Sequence, residues 1–277
     1  MIIGISGKIK SGKDTVGLII QSLTSTNVTI REIEEFILTK KIECNTTWQV
    51  KKFADKLKDI VCLLINCTRE QLEDQDFKNR ELGEEWKVSR LVLGTSRGVS
   101  YTYFNNLQKA KDNSNRCHNF EINKVEEYVL TPRLLLQLLG TECGRNIIHP
   151  NIWVNVLMSE YKKPNISSLN DSSIERGIKE GTLGLPNWII TDMRFPNELK
   201  AIKDKNGITI RIITDSNPCV CIDDSKLDCL VNCDKKLHHP SEIALDNAEF
   251  DYKINNSGTI EDLIEKVKII LIKENII

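Results

Sequence analysis

A glycine- and lysine-rich stretch near the start of the chain, GKIKSGKDT at residues 7–15, has the spacing of a phosphate-binding loop. In such loops, backbone N–H groups close around phosphate oxygens, and the helix that follows points its positive end at them. Gly7 and Gly12 would shape the loop, and Lys13 would bridge the outer phosphates. Lys10 would add positive charge. We therefore predict a nucleotide site here.

One position departs from the usual pattern, in which Ser or Thr directly follows the lysine and meets magnesium through its hydroxyl. Asp14 takes that place, and a hydroxyl comes one residue later, at Thr15. A carboxylate repels a triphosphate unless a magnesium ion or its water shell lies between them. Either Asp14 helps to hold the metal shell, or it turns away and Thr15 reaches the phosphates. Both interpretations leave the loop functional.

A second set of candidate residues lies in TPRLLLQLLGTECGR, residues 131–145, where Thr131 and Pro132 predict the start of a helix. Helical spacing would place five small or polar residues in one stripe: Arg133, Gln137, Gly140, Thr141 and Gly144. Arg and Gln side chains can hold a phosphate and a base edge, and small residues permit close approach of a ligand. The alternative is an ordinary surface stripe.

The third candidate stretch is WIITDMRFPNE, residues 188–198. Its apolar part predicts a core strand, and Asp192 stands where that strand ends. Ligands bind at the carboxyl ends of parallel strands, so Asp192 is a candidate for the magnesium shell or for a substrate hydroxyl. Arg194 could pair with a phosphate, and Glu198 falls in the first turns of the next helix. An ion pair between Asp192 and Arg194 is the alternative.

Short apolar strands alternate with amphipathic helices along the chain. This order predicts an α/β fold with a parallel sheet covered by helices on both faces. Three polar, poorly periodic segments interrupt the alternation. We predict a lid or insertion at residues 83–127 and surface insertions at 162–185 and 218–237.

The composition narrows the possible partners. The 38 Lys and Arg residues nearly balance the 39 Asp and Glu residues, which argues against a protein bound to nucleic acid mainly by basic charge. No apolar run reaches the about 18 residues that span a bilayer, and the first residues lack the features of a signal peptide. We expect a cytoplasmic protein that has no membrane or nucleic-acid partner.

The nine cysteines are scattered except for a cluster near the C-terminus, and reduced thiols are the default interpretation. The cluster, with His238 and His239 following it, could supply zinc ligands. Its four cysteines are Cys219, Cys221, Cys229 and Cys233. Their spacing is not that of the usual zinc knuckle, so a polar insertion with free thiols is favoured. Neither histidine is expected to be catalytic.

Six motifs in consecutive order resemble those of the deoxynucleoside monophosphate kinases of phages and large DNA viruses. They are GKIKSGKDT, FADKLK, TPRLLLQLLGTECGR, TDMRFPNE, HHPSE and DYKINNSGTIEDL. The resemblance implies a single P-loop kinase domain over residues 1–277, with a three-layer parallel sheet and helical substrate-binding and lid insertions. It implies transfer of the γ-phosphate of ATP, assisted by Mg²⁺, to a deoxynucleoside monophosphate. If the protein is viral, the resemblance implies that this reaction takes place in the cytoplasm of the host cell.

The resemblance also implies roles for individual residues. The loop residues that would hold ATP are Gly7, Lys10, Gly12, Lys13, Asp14 and Thr15, with Asp14 and Thr15 nearest to the metal. The substrate pocket would comprise Leu57, Lys58, Arg133, Gln137, Gly140, Thr141, Arg145, Trp153, Asp192 and Glu198, with Arg80 added from the segment before the insertion. The residues expected to act in catalysis are Lys13, Arg133, Arg145 and Asp192.

Phosphoryl transfer needs alignment, charge neutralisation and exclusion of water, and this fits a sequence that has no obvious activated nucleophile. One alternative is a P-loop kinase of another small phosphorylated acceptor, such as dephospho-coenzyme A. Another is a non-catalytic nucleotide-binding module, against which the arginines and Asp192 argue. A homodimer is a further expectation.

Overall fold

A computed structural model describes residues 1–25, 28–39, 46–95, 98–117, 120, 122–163, 184–214 and 243–277. The described residues form two compact units. The first unit draws on the residues within 1–55, 153–214 and 243–277, and the second on those within 56–152. The single kinase domain inferred from the sequence stays a prediction.

The described strands are β1 Ile2–Gly7, β2 Trp48–Lys51, β3 Lys87–Thr95, β4 Gly98–Phe104, β5 Ile122–Val129, β6 Asn187–Ile190, β7 Ile208–Ile213 and β8 Tyr252–Asn255. The described helices are α1 Lys13–Leu23, α2 Ile30–Thr39, α3 Asp55–Ile65, α4 Arg69–Glu73, α5 Gln75–Asn79, α6 Leu107–Ser114, α7 Pro132–Gln137, α8 Ile152–Met158, α9 Pro196–Lys203 and α10 Ile260–Lys273. A 3₁₀ turn spans Glu84–Trp86, and a π-helical segment, Leu138–Ile148, continues α7.

The first unit is built on a five-stranded parallel sheet in the order β2-β6-β1-β7-β8. β1 lies in the middle, with Ile3 opposite Ile189 of β6 and Ile208 of β7. Strands that are buried on both faces need apolar side chains at successive positions, which explains the run IIGIS. The carboxyl ends of β2, β6 and β1 therefore meet at one edge of the sheet.

Two clusters of buried side chains cover the faces of this sheet. Ile3 and Ile5 pack with residues of α1 and α10, whereas Ile2 packs with residues of α8 and α9. Successive side chains of a strand point to opposite faces, so β1 contributes to both cores. This layered parallel arrangement confirms the predicted α/β fold class.

The helix start predicted at Thr131 and Pro132 is confirmed, and two further helices begin at side-chain caps. Thr68 and Gln71 form a reciprocal capping box at α4, and the Thr131 hydroxyl accepts a hydrogen bond from the N–H of Leu134 at the start of α7. Thr259 caps α10 in the same way. These caps satisfy backbone N–H groups that have no partner within a helix.

The second unit contains an element that was not anticipated, a three-stranded antiparallel sheet in the order β4-β3-β5. Its strands lie between Lys87 and Val129, largely within the predicted insertion, and α6 with its buried Ala110 packs on the sheet. Its strands bury few side chains, chiefly Leu91 and Val92 of β3. The strand β5, INKVEEYV, is largely exposed and lacks the apolar alternation by which a strand is recognised.

The structure describes little or nothing of the other two predicted insertions. Residues 164–183 lie outside the described part of the chain, and so does the whole of 218–237 with its four cysteines, together with His238 and His239. None of the helices formed by the described residues is long and apolar enough to cross a membrane.

The packing of α10 on the sheet generates a stability prediction. Leu271 is fully buried in the core, whereas the adjacent Ile272 is 52% exposed. We expect Leu271→Ala to lower the free energy of unfolding by about 2–5 kcal/mol, through lost apolar contact and the cavity left behind. Ile272→Ala, the matched control, should change it by less than about 0.5 kcal/mol. Urea unfolding would measure both, and equal losses would contradict this placement of the helix.

Candidate active site

The phosphate-binding loop connects β1 to α1, as the sequence predicts. The Lys13 ammonium lies across the loop and donates hydrogen bonds to the carbonyl oxygens of Gly7 at 2.8 Å and Lys8 at 2.6 Å. The loop is closed by the N–H of Ser11, which donates to the Lys8 carbonyl at 3.2 Å. Lys13 is also the first residue of α1, so its ammonium stays close to the positive end of that helix.

Asn256, which directly follows β8, holds this loop from the side. Its side-chain amide donates to the carbonyl of Ser11 at 3.0 Å, and its own N–H donates to the carbonyl of Ile213 at 2.7 Å. Gly12 has a left-handed backbone, with φ of 92°, and a Cβ there would lie 2.6 Å from the Asn256 amide nitrogen. Glycine is thus required at this position both by the backbone angle and by the close approach of Asn256.

Other loop residues differ in their surroundings. Lys10 is exposed and has φ of 63°, so it contributes to the turn of the loop. Lys8 is paired instead with Asp246, at 2.5 Å, and the same carboxylate accepts a hydrogen bond from Arg211 at 2.7 Å. The charge of Lys8 is therefore partly compensated within the protein.

Asp14 lies in the first turn of α1 and joins it to the ends of two strands. Its Oδ1 accepts a hydrogen bond from the Thr191 hydroxyl at 2.8 Å and lies 2.9 Å from the Lys52 ammonium. Partial burial by itself would raise the pKa of Asp14, but Lys52, Thr191 and Lys13 outweigh it and lower that pKa. Asp14 is therefore a carboxylate at neutral pH. Thr15 follows, half-buried, in the same turn of the helix.

Asp192, just beyond β6, anchors the turn that precedes α3. Its two carboxylate oxygens accept hydrogen bonds from the backbone N–H groups of Phe53 at 2.8 Å and Ala54 at 3.0 Å. Burial raises the pKa of Asp192, and these N–H groups together with the charges of Arg194 and Lys52 offset only part of that rise. The observed contacts of Asp192 are those of an anchor, and its predicted contact with magnesium or substrate stays a prediction.

Glu198 and Trp153 are buried. Glu198 is 1% exposed, and its Oε2 accepts hydrogen bonds from the N–H groups of Arg194 at 2.7 Å and Phe195 at 3.0 Å, which caps the start of α9. Trp153 is 6% exposed at the start of α8. Their roles in substrate binding stay predictions.

In the second unit, the structure brings two predicted substrate residues together. A Cβ added to Gly140 would lie 2.8 Å from the Cδ2 of Leu57 on α3, so a larger residue at position 140 would require the Leu57 side chain to shift. Gly140 and Gly144 are both buried in the π-helical segment, where the N–H of His149 donates to the Gly144 carbonyl at 2.9 Å. Such segments are rare and are frequently found at functional sites.

The π-helical segment corrects the predicted stripe. Uniform α-helical spacing from Arg133 to Gly144 was expected, but the chain has wider turns from Leu138 onward. Gln137 is exposed while Gly140 is buried, so the two do not share one face in the way that was predicted. Hydrophobic patterning does not distinguish α from π turns over so short a length.

The charged and polar members of this predicted pocket are held by neighbours on α4 and α5. Arg133 donates to the side-chain oxygens of Asn79 and Gln75, each at 2.8 Å. Lys58 pairs with Glu73 at 2.5 Å. Arg80 is exposed and lies over the ring of Phe77 at 5.6 Å, and Thr141 and Arg145 are half-buried.

Sequence reasoning missed three residues that touch the loop or its helix: Lys52, Thr191 and Asn256. Thr191 and Asn256 lie inside quoted motifs, beside Asp192 and after DYKIN, but neither was given a role. The available signal was position, because each of the three residues directly follows a strand of the same parallel sheet as β1, and ligands bind at the carboxyl ends of such strands.

The contact of Asn256 with the loop generates a testable prediction. Asn256→Leu keeps the branched shape but removes the donor to Ser11, and we expect about fivefold weaker binding of ATP, as for loss of one hydrogen bond. Lys253→Ala, an exposed residue of β8, is the control and should bind ATP like the unchanged protein. Calorimetry would measure both affinities. An unchanged affinity in Asn256→Leu would show that the loop keeps its shape without this contact.

Comparison with known proteins agrees with these features. The family model described as deoxynucleotide monophosphate kinase matches residues 1–267 of the chain. The deoxynucleoside-5'-monophosphate kinase of Escherichia phage T5 is 24% identical over 227 residues, which cover 75% of this chain and 74% of that protein. The matched range includes the loop, Asp192, the whole of the second unit and the first unit up to residue 267. The chain therefore belongs to the deoxynucleotide monophosphate kinase family.

Proposed function

We propose that this enzyme transfers the γ-phosphoryl group of ATP to deoxynucleoside 5'-monophosphates, with Mg²⁺ as cofactor, and releases ADP and the diphosphates. The observation that carries the proposal is the loop at the end of β1, where the Lys13 ammonium lies 2.8 Å from the Gly7 carbonyl at the positive end of α1. A triphosphate is the ligand for which this combination of amides, ammonium and helix dipole is suited.

The oxygen donors beside the loop fit magnesium. Mg²⁺ keeps several waters and is usually bound by one or two carboxylates together with substrate phosphates. Asp14 and Thr15 supply a carboxylate and a hydroxyl in the first turn of α1. In the part of the chain that is described, no group of three or more His, Cys, Asp or Glu side chains could form a protein-only metal site. When bound, the ion would neutralise charge on the outer phosphates.

We assign the deoxynucleotide to the residues of the second unit. Leu57 and Gly140, which lie close together, are the residues that we assign to the nucleoside. Arg133, with its guanidinium oriented by Asn79 and Gln75, suits the monophosphate because its planar donors match phosphate oxygens. Arg145, half-buried in the π-helical segment, would add a second cation.

The chain supplies binding and orientation rather than covalent chemistry. The attacking group is an oxygen of the acceptor's phosphate, which is already anionic, so no strong general base is required. Lys13 would neutralise charge on the phosphates of ATP, and Arg133 and Arg145 would neutralise charge on the phosphate of the acceptor. Asp192 acts as a positioning residue in this scheme, because both of its oxygens bond to the backbone of residues 53–54.

A panel of acceptors tests the proposal. ADP formation from ATP and Mg²⁺ would be followed with dAMP, dGMP, dCMP and dTMP in turn, with dephospho-coenzyme A as the comparison. We expect at least one deoxynucleotide to accelerate ADP formation and to yield its diphosphate. If none of the four does so, the proposed function is wrong.

Removal of the loop lysine gives the corresponding mutational prediction. Lys13→Ala deletes the ammonium that would neutralise the outer phosphates, and we expect kcat to fall about 100-fold or more. The urea midpoint should change little, since Lys13 is not part of either apolar core. If the Lys13→Ala enzyme kept full activity, the conclusion would be that ATP does not bind at this loop.

A further inference from the structure

Lys52, the residue directly after β2, reaches the first turn of the helix that follows the phosphate-binding loop. Its ammonium lies 2.9 Å from Oδ1 of Asp14, the residue next to Lys13. The Thr191 hydroxyl donates to the same oxygen at 2.8 Å. Lys52 is thus held by Asp14, which directly follows the loop lysine Lys13 and takes the place of the usual Ser or Thr.

The backbone of Lys52 is fixed by two carboxylates. Its N–H donates to Oδ2 of Asp55 at 3.0 Å, and the N–H of Asp55 donates back to the Lys52 carbonyl at 3.2 Å. The next two N–H groups, of Phe53 and Ala54, are bonded to Asp192. The starting point of the lysine side chain is therefore defined on both sides.

Stability gives little reason for this ion pair. The Asp14 side chain is 70% exposed and that of Lys52 is 29% exposed, and ion pairs in contact with water contribute little to folding. The two side chains are nevertheless aligned at the carboxyl ends of β1, β2 and β6, where ligands bind in parallel sheets. A binding function explains the arrangement better than a structural one.

We propose that Lys52 contacts the phosphates during transfer and that Asp14 is the positioning residue that holds its ammonium beside Lys13. This inference rests on the proposed function. In the step concerned, the bond between the γ-phosphorus and the bridging oxygen breaks, and its electron pair stays on ADP. A new bond forms from the acceptor's phosphate oxygen to that phosphorus. Lys52 donates hydrogen bonds to the phosphate oxygens and keeps its protons.

Lys51 provides a matched control one residue away. Its ammonium lies 3.7 Å from Glu160 and 5.3 Å from the centre of the Trp188 ring, away from Asp14. Lys51→Ala and Lys52→Ala remove the same charge from adjacent positions, so a difference between them reports position and not net charge.

Steady-state kinetics and ATP binding without added metal would be measured for both variants and for Lys52→Arg. We expect Lys52→Ala to lower kcat about 100-fold and ATP affinity about tenfold, as for loss of a charge-assisted contact, with an unchanged urea midpoint. Lys52→Arg should recover part of kcat, and Lys51→Ala should stay within about twofold of the parent. A Lys52→Ala enzyme with parental kcat and ATP affinity would overturn the proposal.

The role of Asp14 is tested by a double-mutant cycle. Asp14→Asn keeps the shape but loses the charge that holds Lys52. If Asp14 acts through Lys52, adding Asp14→Asn to Lys52→Ala should lower the affinity for ATP measured without added metal no further, since coupled residues are not additive. Multiplicative losses would overturn the positioning role. If the unchanged protein phosphorylates no deoxynucleotide, the proposed function is wrong. The ATP affinities of Lys52→Ala and of the unchanged protein then decide alone whether Lys52 contacts the phosphates of ATP.

Discussion

The hydrogen bonds between the Asp192 carboxylate and the N–H groups of Phe53 and Ala54 determine much of the geometry around the phosphate-binding loop. They join the end of β6 to the turn after β2, two strands that pair in parallel. A carboxylate bonded at both oxygens by backbone donors is a stiff link, because neither partner can rotate away without losing a charge-assisted bond. Lys52 directly precedes Phe53 and Ala54, and the ammonium at the end of its side chain contacts Asp14.

The same link explains how a negatively charged residue can follow the loop lysine. Asp14 alone would repel a triphosphate, but Lys52 and Thr191 compensate its charge at fixed positions. Groups that are already oriented cost little reorganisation when charge develops in a transition state. The departure from the usual loop pattern is thus matched by two residues on neighbouring strands.

The first unit could be predicted closely from the sequence, because its signals are local. The strand β1, the glycine loop and the helix α1 follow one another within residues 2–23, so a short stretch of sequence is enough to recognise them. The antiparallel sheet of the second unit could not be predicted, because β5 is largely exposed and is held in place by its pairing with β3. The π-helical segment was missed because its composition is that of an α-helix.

For the candidate site, the sequence indicated which motifs matter but not every residue that completes them. Gly140 and Leu57 were both predicted, and they meet; Asn256 was passed over, although it contacts the loop. The reason is geometric, since a motif records residue types along the chain and not which strand ends adjoin.

The lysines at residues 51 and 52 show this limit most clearly. In the sequence they are two identical residues at the end of one strand, and composition gives no basis for choosing between them. Lys51 is the last residue of β2 and Lys52 is the first residue after it, and Lys52 makes the ion pair with Asp14. Which one does so depends on the register of β2 against β6, where Lys51 lies opposite Ile190. That register brings the following residues to Asp192. The pairing of two strands that are distant in sequence therefore decides which lysine meets Asp14, and no local pattern encodes it.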